Sequence, residues 1–147
     1  MAVILVVEDE AIIRMGAVQM LEDAGFTVLE AANADVAIRL LEYRNDINAV
    51  FTDIQMPGSM NGLKLVHVIR ERWPQIHLLV ASGLKAPTEA EFPRMGRFIR
   101  KPYAPEHVLQ ALKELLGQNP EPYRYLNDVI QNYGMVTGGR RAGSNKG

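Results

Sequence analysis

Short apolar runs alternate along the chain with longer segments in which apolar residues recur at helical spacing. The five runs are Val3–Val7, Val28–Ala31, Ala49–Thr52, Ile76–Ala81 and Arg97–Ile99. Continuous apolar runs are typical of strands covered on both faces, because such strands have no side that faces solvent. The alternation therefore predicts an α/β fold: a doubly wound, five-stranded parallel sheet with helices on both faces.

Four segments between and after these runs have the spacing of amphipathic helices, and their boundaries are marked. Gly25 can end the first helix in a left-handed conformation, and Asn33 is suited to cap the second, which should run to about Arg44. Pro74 ends the third helix because it disfavours helix at the preceding residue, whereas Pro105 suits the first turn of the last helix. The predicted buried positions are Ile13, Ala17, Met20 and Ala24 in the first helix, Leu63, Val66 and Ile69 in the third, and Val108, Ala111, Leu112 and Leu115 in the last.

A further helix is expected to be poorly formed. The segment Gly83–Gly96 contains Pro87 and Pro93, which leave room for little more than one turn around Thr88–Phe92. We therefore predict a short or frayed fourth helix between the fourth and fifth strands. Because the prolines remove helix hydrogen bonds, we expect Pro87–Met95 to be the most mobile part of the domain in the unphosphorylated state.

The composition changes beyond Gly117, where two prolines are followed by a glycine-rich, basic end. We place one domain at residues 1–117 and a tail at residues 118–147. The tail is either disordered or contains a short amphipathic helix over 123–133, which would need a docking surface to persist. The apolar positions of that helix would be Leu126, Val129, Ile130 and Tyr133.

Composition and charge bound the classes of function. The chain of 147 residues fits one domain, and its net charge of -1 gives no general attraction to nucleic acid or anionic membrane. It has no cysteine, which suits the cytoplasm. The apolar start Ala2–Val7 lacks a basic flank, so it is interpreted as a strand and not as a signal peptide or membrane span. The residues after Gly117 are too few for a helix-turn-helix module, so we expect no direct binding of nucleic acid.

Five polar residues lie where the predicted strands end, which is where open parallel sheets bind ligands. They are Glu8, Asp9, Asp53, Ser82 and Lys101. Three carboxylates brought close together would repel one another unless a cation neutralised them. Mg²⁺ fits this role because it prefers oxygen ligands and commonly uses one or two carboxylates together with phosphate oxygens.

A carboxylate in such a site can act as a nucleophile and form an aspartyl phosphate. The transferred group is negatively charged, so fixed positive charge must meet it, and Mg²⁺, the Lys101 ammonium and the Ser82 hydroxyl would do so. Each residue alone has an ordinary explanation, as a turn residue, a helix cap or a solvated surface charge. The occurrence of all of them at the strand ends of one sheet favours the site.

Four ordered motifs resemble the receiver domain of two-component response regulators over roughly residues 2–117. The motifs are the run from Ile4 to Glu10, the run from Thr52 to Pro57 with Asn61-Gly62 after it, Ala81-Ser82-Gly83, and Lys101-Pro102-Tyr103. The resemblance implies a flavodoxin-like strand order 2-1-3-4-5 and a stand-alone phosphorylation switch. It also implies a sensor histidine kinase or a histidine phosphotransfer protein as phosphodonor, and a downstream protein target that the sequence does not identify.

The resemblance assigns the acidic residues by position. Asp53 matches the phosphoacceptor and Asp9 the direct Mg²⁺ ligand, while Glu8 would reach the metal through water. Gln55 falls where the family uses a backbone carbonyl as a metal ligand. Glu8 replaces the more frequent Asp, which an indirect contact should tolerate, and Gly58-Ser59-Met60 makes the loop after Asp53 one residue longer than usual.

The resemblance also assigns the residues that respond to the phosphoryl group. Ser82 matches the switch hydroxyl, Lys101 the lysine that pairs with the phosphate, and Phe98 the aromatic that changes rotamer on activation. The bond between Lys101 and Pro102 should be cis, so that the ammonium is aimed back over the strand ends.

Other interpretations fit the sequence less well. A phosphatase of the haloacid-dehalogenase kind needs a second acid two residues after its aspartate, and Gln55 stands there. A degenerate receiver that acts only as a protein-binding adaptor is disfavoured by the intact set Glu8, Asp9, Asp53, Ser82 and Lys101. Docking to a target, a phosphate shuttle and a phosphate sink share the same chemistry, and all three roles stay open.

Overall fold

The computed structural model describes residues 2–54, 62–83 and 96–117. In chain order the elements are β1 (Val3–Val7), α1 (Ala11–Asp23), β2 (Thr27–Ala31), α2 (Ala34–Tyr43), β3 (Ala49–Asp53), α3 (Gly62–Arg72), β4 (His77–Ser82), β5 (Gly96–Arg100) and α4 (Pro105–Leu116). All five predicted strands and the four clear helices are present, which confirms the α/β class. The label α4 denotes the last helix; the predicted short fourth helix falls on residues 84–95, outside the described residues.

The five strands form one parallel sheet in the order β2-β1-β3-β4-β5, which confirms the predicted order 2-1-3-4-5. In β1, Val6 pairs with Glu30 of β2 and with Phe51 of β3. In β4, Val80 pairs with Thr52 of β3 and with Phe98 of β5. Because the strands are parallel, all of their carboxyl ends open at one edge of the sheet, here called the carboxyl edge.

Helices cover both faces of the sheet, and each face has its own apolar core. Helices α2 and α3 pack on one face around Leu5, Val50 and Leu78. Helices α1 and α4 pack on the other face around Ile4, Phe51 and Leu79. Strands β1 and β3 are buried along their whole length, which explains why their sequences are apolar runs without alternation.

Several predicted helix boundaries are confirmed. The Asn33 side chain accepts a hydrogen bond from the Val36 N–H at 2.9 Å and caps α2. Gly25 follows α1 with a φ of 100°, a conformation that favours glycine. Pro105 is the first residue of α4, where its missing N–H is not needed, and α3 ends before Pro74.

The predicted apolar stripes needed corrections in three helices. In α1 the buried residues are Ala17 and Leu21, whereas Ile13 and Ala24 are exposed. Ile13 lies in the first turn of α1, where it lines the open cleft beside Asp53 and is 40% exposed. In α3, Leu65 is buried together with Val66 and Ile69, and Leu63 is only partly buried. In α4, Leu115 is only partly buried, whereas the other three predicted positions are buried.

Two other predictions fall outside the described residues. They are the tail at residues 118–147, with its helix over 123–133, and the predicted metal ligand Gln55. None of the helices in the described ranges is long and apolar enough to cross a membrane.

Candidate functional site

The predicted site residues lie together at the carboxyl edge because each one ends or follows a strand. Glu8 directly follows β1, Asp53 is the last residue of β3, and Ser82 is the last residue of β4. Lys101 follows β5, and its N–H donates to the Ser82 carbonyl at 2.9 Å. The parallel topology thus assembles residues that are far apart in sequence.

A direct ion pair joins the two charged residues at the centre of the site. Lys101 Nζ donates to Asp53 Oδ2 at 2.6 Å, although the residues are 48 positions apart. Asp53 is 7% exposed, whereas the Lys101 side chain is 30% exposed. The ammonium therefore reaches inward from the rim of the site to a buried carboxylate.

Glu8 is a second buried acid in the site. Its Oε2 accepts a hydrogen bond from the Glu10 N–H at 3.1 Å. Burial raises the pKa of Glu8, and the neighbouring Asp9 side chain and the Asp53 charge raise it further. The Glu10 N–H and the Lys101 ammonium oppose this rise without cancelling it. The Glu8 carboxylate is therefore held in surroundings that disfavour its negative charge.

The Lys101 ammonium experiences the opposite balance. Burial alone would lower the pKa of Lys101, but the hydrogen bond and charge of Asp53, together with the Glu8 charge, raise it above the usual value. Lys101 therefore carries a permanent positive charge at neutral pH.

The structure agrees only in part with the prediction that three carboxylates converge in the site. Glu8 interacts with both Asp9 and Asp53, but no group of three or more His, Cys, Asp or Glu side chains in residues 2–54, 62–83 and 96–117 is arranged to hold a metal ion. Asp9 lies beyond the end of β1 and is more exposed than Glu8. The donor chemistry nevertheless fits Mg²⁺, since the side chains are carboxylates whose crowding Lys101 only partly relieves.

Ser82 and Phe98 lie deeper than the charged residues. Each is only 1% exposed, and Phe98 belongs to the apolar core beneath α2 and α3. The bond between Lys101 and Pro102 is cis, the isomer implied by the resemblance.

A small, solvent-open cleft lies beside Asp53. Its polar end is formed by Glu8, Asp53 and Lys101, and its apolar walls include Ile13 and Tyr103. Tyr103 packs edge-to-face on Phe51 with ring centroids 5.8 Å apart. Burial raises the pKa of Tyr103, so its hydroxyl stays neutral; the Lys101 charge lowers this pKa, and the Glu8 and Asp53 charges raise it.

Gly62 holds the first turn of α3 against the end of β3. Its N–H donates to the Ile54 carbonyl at 2.8 Å. A Cβ at this position would lie 1.7 Å from the backbone oxygen of Asp53, so no larger residue fits without moving backbone. The glycine of the Asn61-Gly62 motif thus has a steric role next to Asp53.

Sequence reasoning missed the roles of Ile13, Tyr103 and Gly62 in shaping this site. Tyr103 belongs to the motif Lys101-Pro102-Tyr103, and its position directly after Lys101-Pro102 is the signal in the sequence. The spacing of Ile13 matches the buried stripe of α1 and therefore predicts a core position. The steric role of Gly62 depends on how closely α3 approaches β3, which spacing alone does not reveal.

Comparison with known proteins is consistent across sequence and structure. The profile of the response regulator receiver domain matches residues 4–113. Sensor kinase CckA of Brucella abortus is 32% identical over 123 residues, which cover 78% of this chain and 12% of that protein. The transcriptional regulatory protein ResD of Bacillus subtilis is 36% identical over 116 residues, covering 77% of this chain and 47% of ResD.

Solved structures give the same picture. A response regulator receiver protein from Sinorhizobium medicae WSM419 superposes with a TM-score of 0.74 at 28% identity, covering 79% of this chain and 94% of that chain. The Vibrio cholerae chemotaxis protein CheY4 superposes with a TM-score of 0.69 at 26% identity, covering 78% and 98%. The chain thus spans nearly the whole of these receiver structures but less than half the length of the two curated relatives.

Proposed function

Because the chain belongs to the response regulator receiver domain family of two-component signalling, we propose that it accepts a phosphoryl group on Asp53 in a Mg²⁺-dependent reaction. The donor is a phosphohistidine on a sensor histidine kinase or a histidine phosphotransfer protein, and the setting is the cytoplasm. The observation that carries the proposal is the buried Asp53 carboxylate paired at 2.6 Å with the Lys101 ammonium.

The transfer is a substitution at phosphorus. An oxygen of the Asp53 carboxylate attacks, the bond between phosphorus and the donor imidazole nitrogen breaks, and that nitrogen keeps the electron pair. The phosphoryl oxygens carry the negative charge throughout. Lys101, already aimed at Asp53, meets that charge as it arrives and so stabilises both the transition state and the product.

The divalent cation neutralises phosphate and carboxylate charge when bound. Asp9, Asp53 and the backbone carbonyl of Gln55 would hold it directly, and Glu8 would hold it through water. The closeness of the Glu8 and Asp53 carboxylates, both buried and served by one ammonium, supports this assignment. In the same scheme Ser82 binds a phosphoryl oxygen through its hydroxyl, and Phe98 changes rotamer in response.

The protein donor must dock beside the cleft for its histidine to reach Asp53. Ile12 and Met15 are 84% and 62% exposed, lie three residues apart in the first turns of α1, and flank Ile13 in the cleft wall. Exposed large apolar side chains grouped on one face are typical of protein contact surfaces. We propose that this α1 surface contacts the donor.

Phosphorylation with acetyl phosphate and Mg²⁺, followed by intact-protein mass spectrometry, tests the proposal. The wild type should gain one phosphoryl group, Asp53→Asn should gain none, and chelation of Mg²⁺ should suppress labelling. Asp46→Asn is the matched control, because Asp46 is an exposed acid paired with Arg44 on the surface. Labelling of Asp53→Asn to the wild-type level would refute the assignment of the nucleophile.

A further inference from the structure

Arg14 is a charged residue of α1 whose side chain is turned into the protein. Its Nη1 donates to the Glu8 carbonyl at 2.8 Å, and its Nε donates to Glu30 Oε1 at 2.9 Å. The Arg14 side chain is 18% exposed, whereas that of Glu30 is 50% exposed. The bond to Glu8 is therefore the more protected of the two from solvent, and a hydrogen bond is electrostatically stronger where water is excluded.

These two bonds join three elements at the carboxyl edge. Glu8 follows β1, Arg14 lies in α1, and Glu30 lies in β2. A planar guanidinium can hold two acceptors in fixed directions at once, which a lysine ammonium does less well. Arg14 thus fixes the start of α1 relative to the two strands beside it.

The backbone and side chain of Glu8 are both held, and Arg14 supplies the bond to the carbonyl. The Glu8 N–H donates to the Ala31 carbonyl at 3.1 Å, and Glu8 Oε2 accepts from the Glu10 N–H. The Arg14 N–H donates in turn to the Glu10 carbonyl at 2.9 Å. A shift of the Glu8 peptide would therefore also shift Glu10, whose N–H orients the Glu8 carboxylate.

The N-terminus of α1 has little else to hold it in place. Its N-cap residue, Glu10, makes no side-chain capping bond, and the first turn contains no acidic residue. Both features normally stabilise a helix start. The guanidinium bond to the Glu8 carbonyl compensates for the absence of both features, at the point where the chain passes through Glu8 and Asp9.

We propose that Arg14 is a positioning residue that holds the Glu8–Glu10 segment so that the Glu8 and Asp9 carboxylates face the Asp53 site. The inference rests on the proposed function for what those carboxylates bind. Residues that orient metal ligands typically change metal affinity about 10- to 100-fold when they are removed. We therefore expect Arg14→Met to weaken Mg²⁺ binding about tenfold.

The test uses the full chain and Mg²⁺ alone, followed by NMR of the backbone amides well below the melting temperature. In metal-free protein, Arg14→Met should speed hydrogen exchange of the Glu10 amide, and in the titration it should raise the Kd for Mg²⁺. Arg14→Lys keeps the charge but not the planar guanidinium with its two fixed donors. Its Glu10 exchange rate and its Kd for Mg²⁺ should fall between those of wild type and Arg14→Met. Arg44→Met is the matched control, because Arg44 also makes two hydrogen bonds, both to Asp46, on the surface at the end of α2.

The outcomes separate the inference from the proposed function. A lower melting temperature with unchanged Glu10 exchange and unchanged Kd would show that Arg14 is merely structural and would overturn the inference. If wild type shows no Mg²⁺-dependent shift near Asp53, the metal assignment fails, while Glu10 exchange in metal-free protein still decides the role of Arg14. If Arg14→Met does not fold, Arg14→Lys carries the test by the same two measurements.

Discussion

Replacing Gly62 by alanine should damage the protein next to the phosphoacceptor. The added Cβ would lie 1.7 Å from the Asp53 carbonyl oxygen and 2.7 Å from both the Asp53 carbonyl carbon and the Ile54 Cα. Real Cβ atoms essentially never approach closer than 3.0 Å. All three atoms belong to the backbone, so no side-chain rotation relieves the overlap, and α3 must move away from the end of β3.

The expected cost follows from this geometry. Forcing extra atoms into a packed site usually costs ~1–3 kcal/mol, and overlap with backbone belongs at the upper end of that range. We expect Gly62→Ala to lower the free energy of unfolding by about 3 kcal/mol. The displaced strand end should also slow phosphorylation of Asp53, because the carboxylate no longer meets Lys101 in the same geometry.

Gly16 provides the matched control, since it lies within α1 and a Cβ there would meet no atom within 4 Å. Gly16→Ala should raise the free energy of unfolding by ~0.5–1 kcal/mol, because glycine is the poorer helix former. Urea denaturation of both variants measures the two effects, and labelling by acetyl phosphate measures the second consequence. A Gly62→Ala protein as stable as wild type would refute the steric argument.

Two further predictions concern the acids of the site and the proposed donor surface. The raised pKa of Glu8 means that, above the usual value of 4.5, the folded protein binds more protons than the unfolded chain, so Glu8 costs stability increasingly as pH rises from 4.5 towards the raised pKa. In chelator, the free energy of unfolding of Glu8→Gln should exceed that of wild type by an amount that grows over this pH range. Parallel curves of unfolding free energy against pH would contradict the raised pKa of Glu8. Ile12→Ser should slow phosphotransfer from a histidine donor about tenfold, since burying such a side chain contributes ~1.5–3 kcal/mol, without slowing labelling by acetyl phosphate. Tyr43→Ser, at an equally exposed position at the far end of α2, is the control, and an equal loss in both would contradict the α1 surface.

The fold was predictable because its signals are local. Strands buried on both faces leave continuous apolar runs, and Asn33, Gly25 and Pro105 mark helix ends through bonds and dihedral angles within their own turns. The buried side of α1 was less predictable. Ile13 has the spacing of a core residue, but the helix begins beyond the end of the strands, and a periodic pattern does not report where the sheet ends.

The site likewise contains residues that the sequence predicts and residues that it does not. Asp53, Ser82 and Lys101 could be found because each ends or follows a strand, and parallel topology makes that position a spatial one. The roles of Gly62 and Arg14 depend on the distance between elements and on the direction of a side chain. An arginine in a helix is ordinarily a solvated charge, and nothing in the local sequence distinguishes one that donates to the carbonyl of Glu8.

The electrostatics of the site imply that its chemistry and its stability are opposed. Glu8 and Asp53 are both 7% exposed. The Lys101 ammonium pairs directly with Asp53 and also interacts electrostatically with Glu8. A carboxylate in that position is easier to ionise when a divalent cation is present, so Mg²⁺ should stabilise the folded protein by binding it in preference to the unfolded chain. Replacing Glu8 by glutamine removes part of the repulsion and also part of the reason to bind the cation. The variant should therefore be the more stable protein in chelator, and that advantage should shrink as Mg²⁺ is added, because the wild type binds the cation more tightly and gains more stability from it.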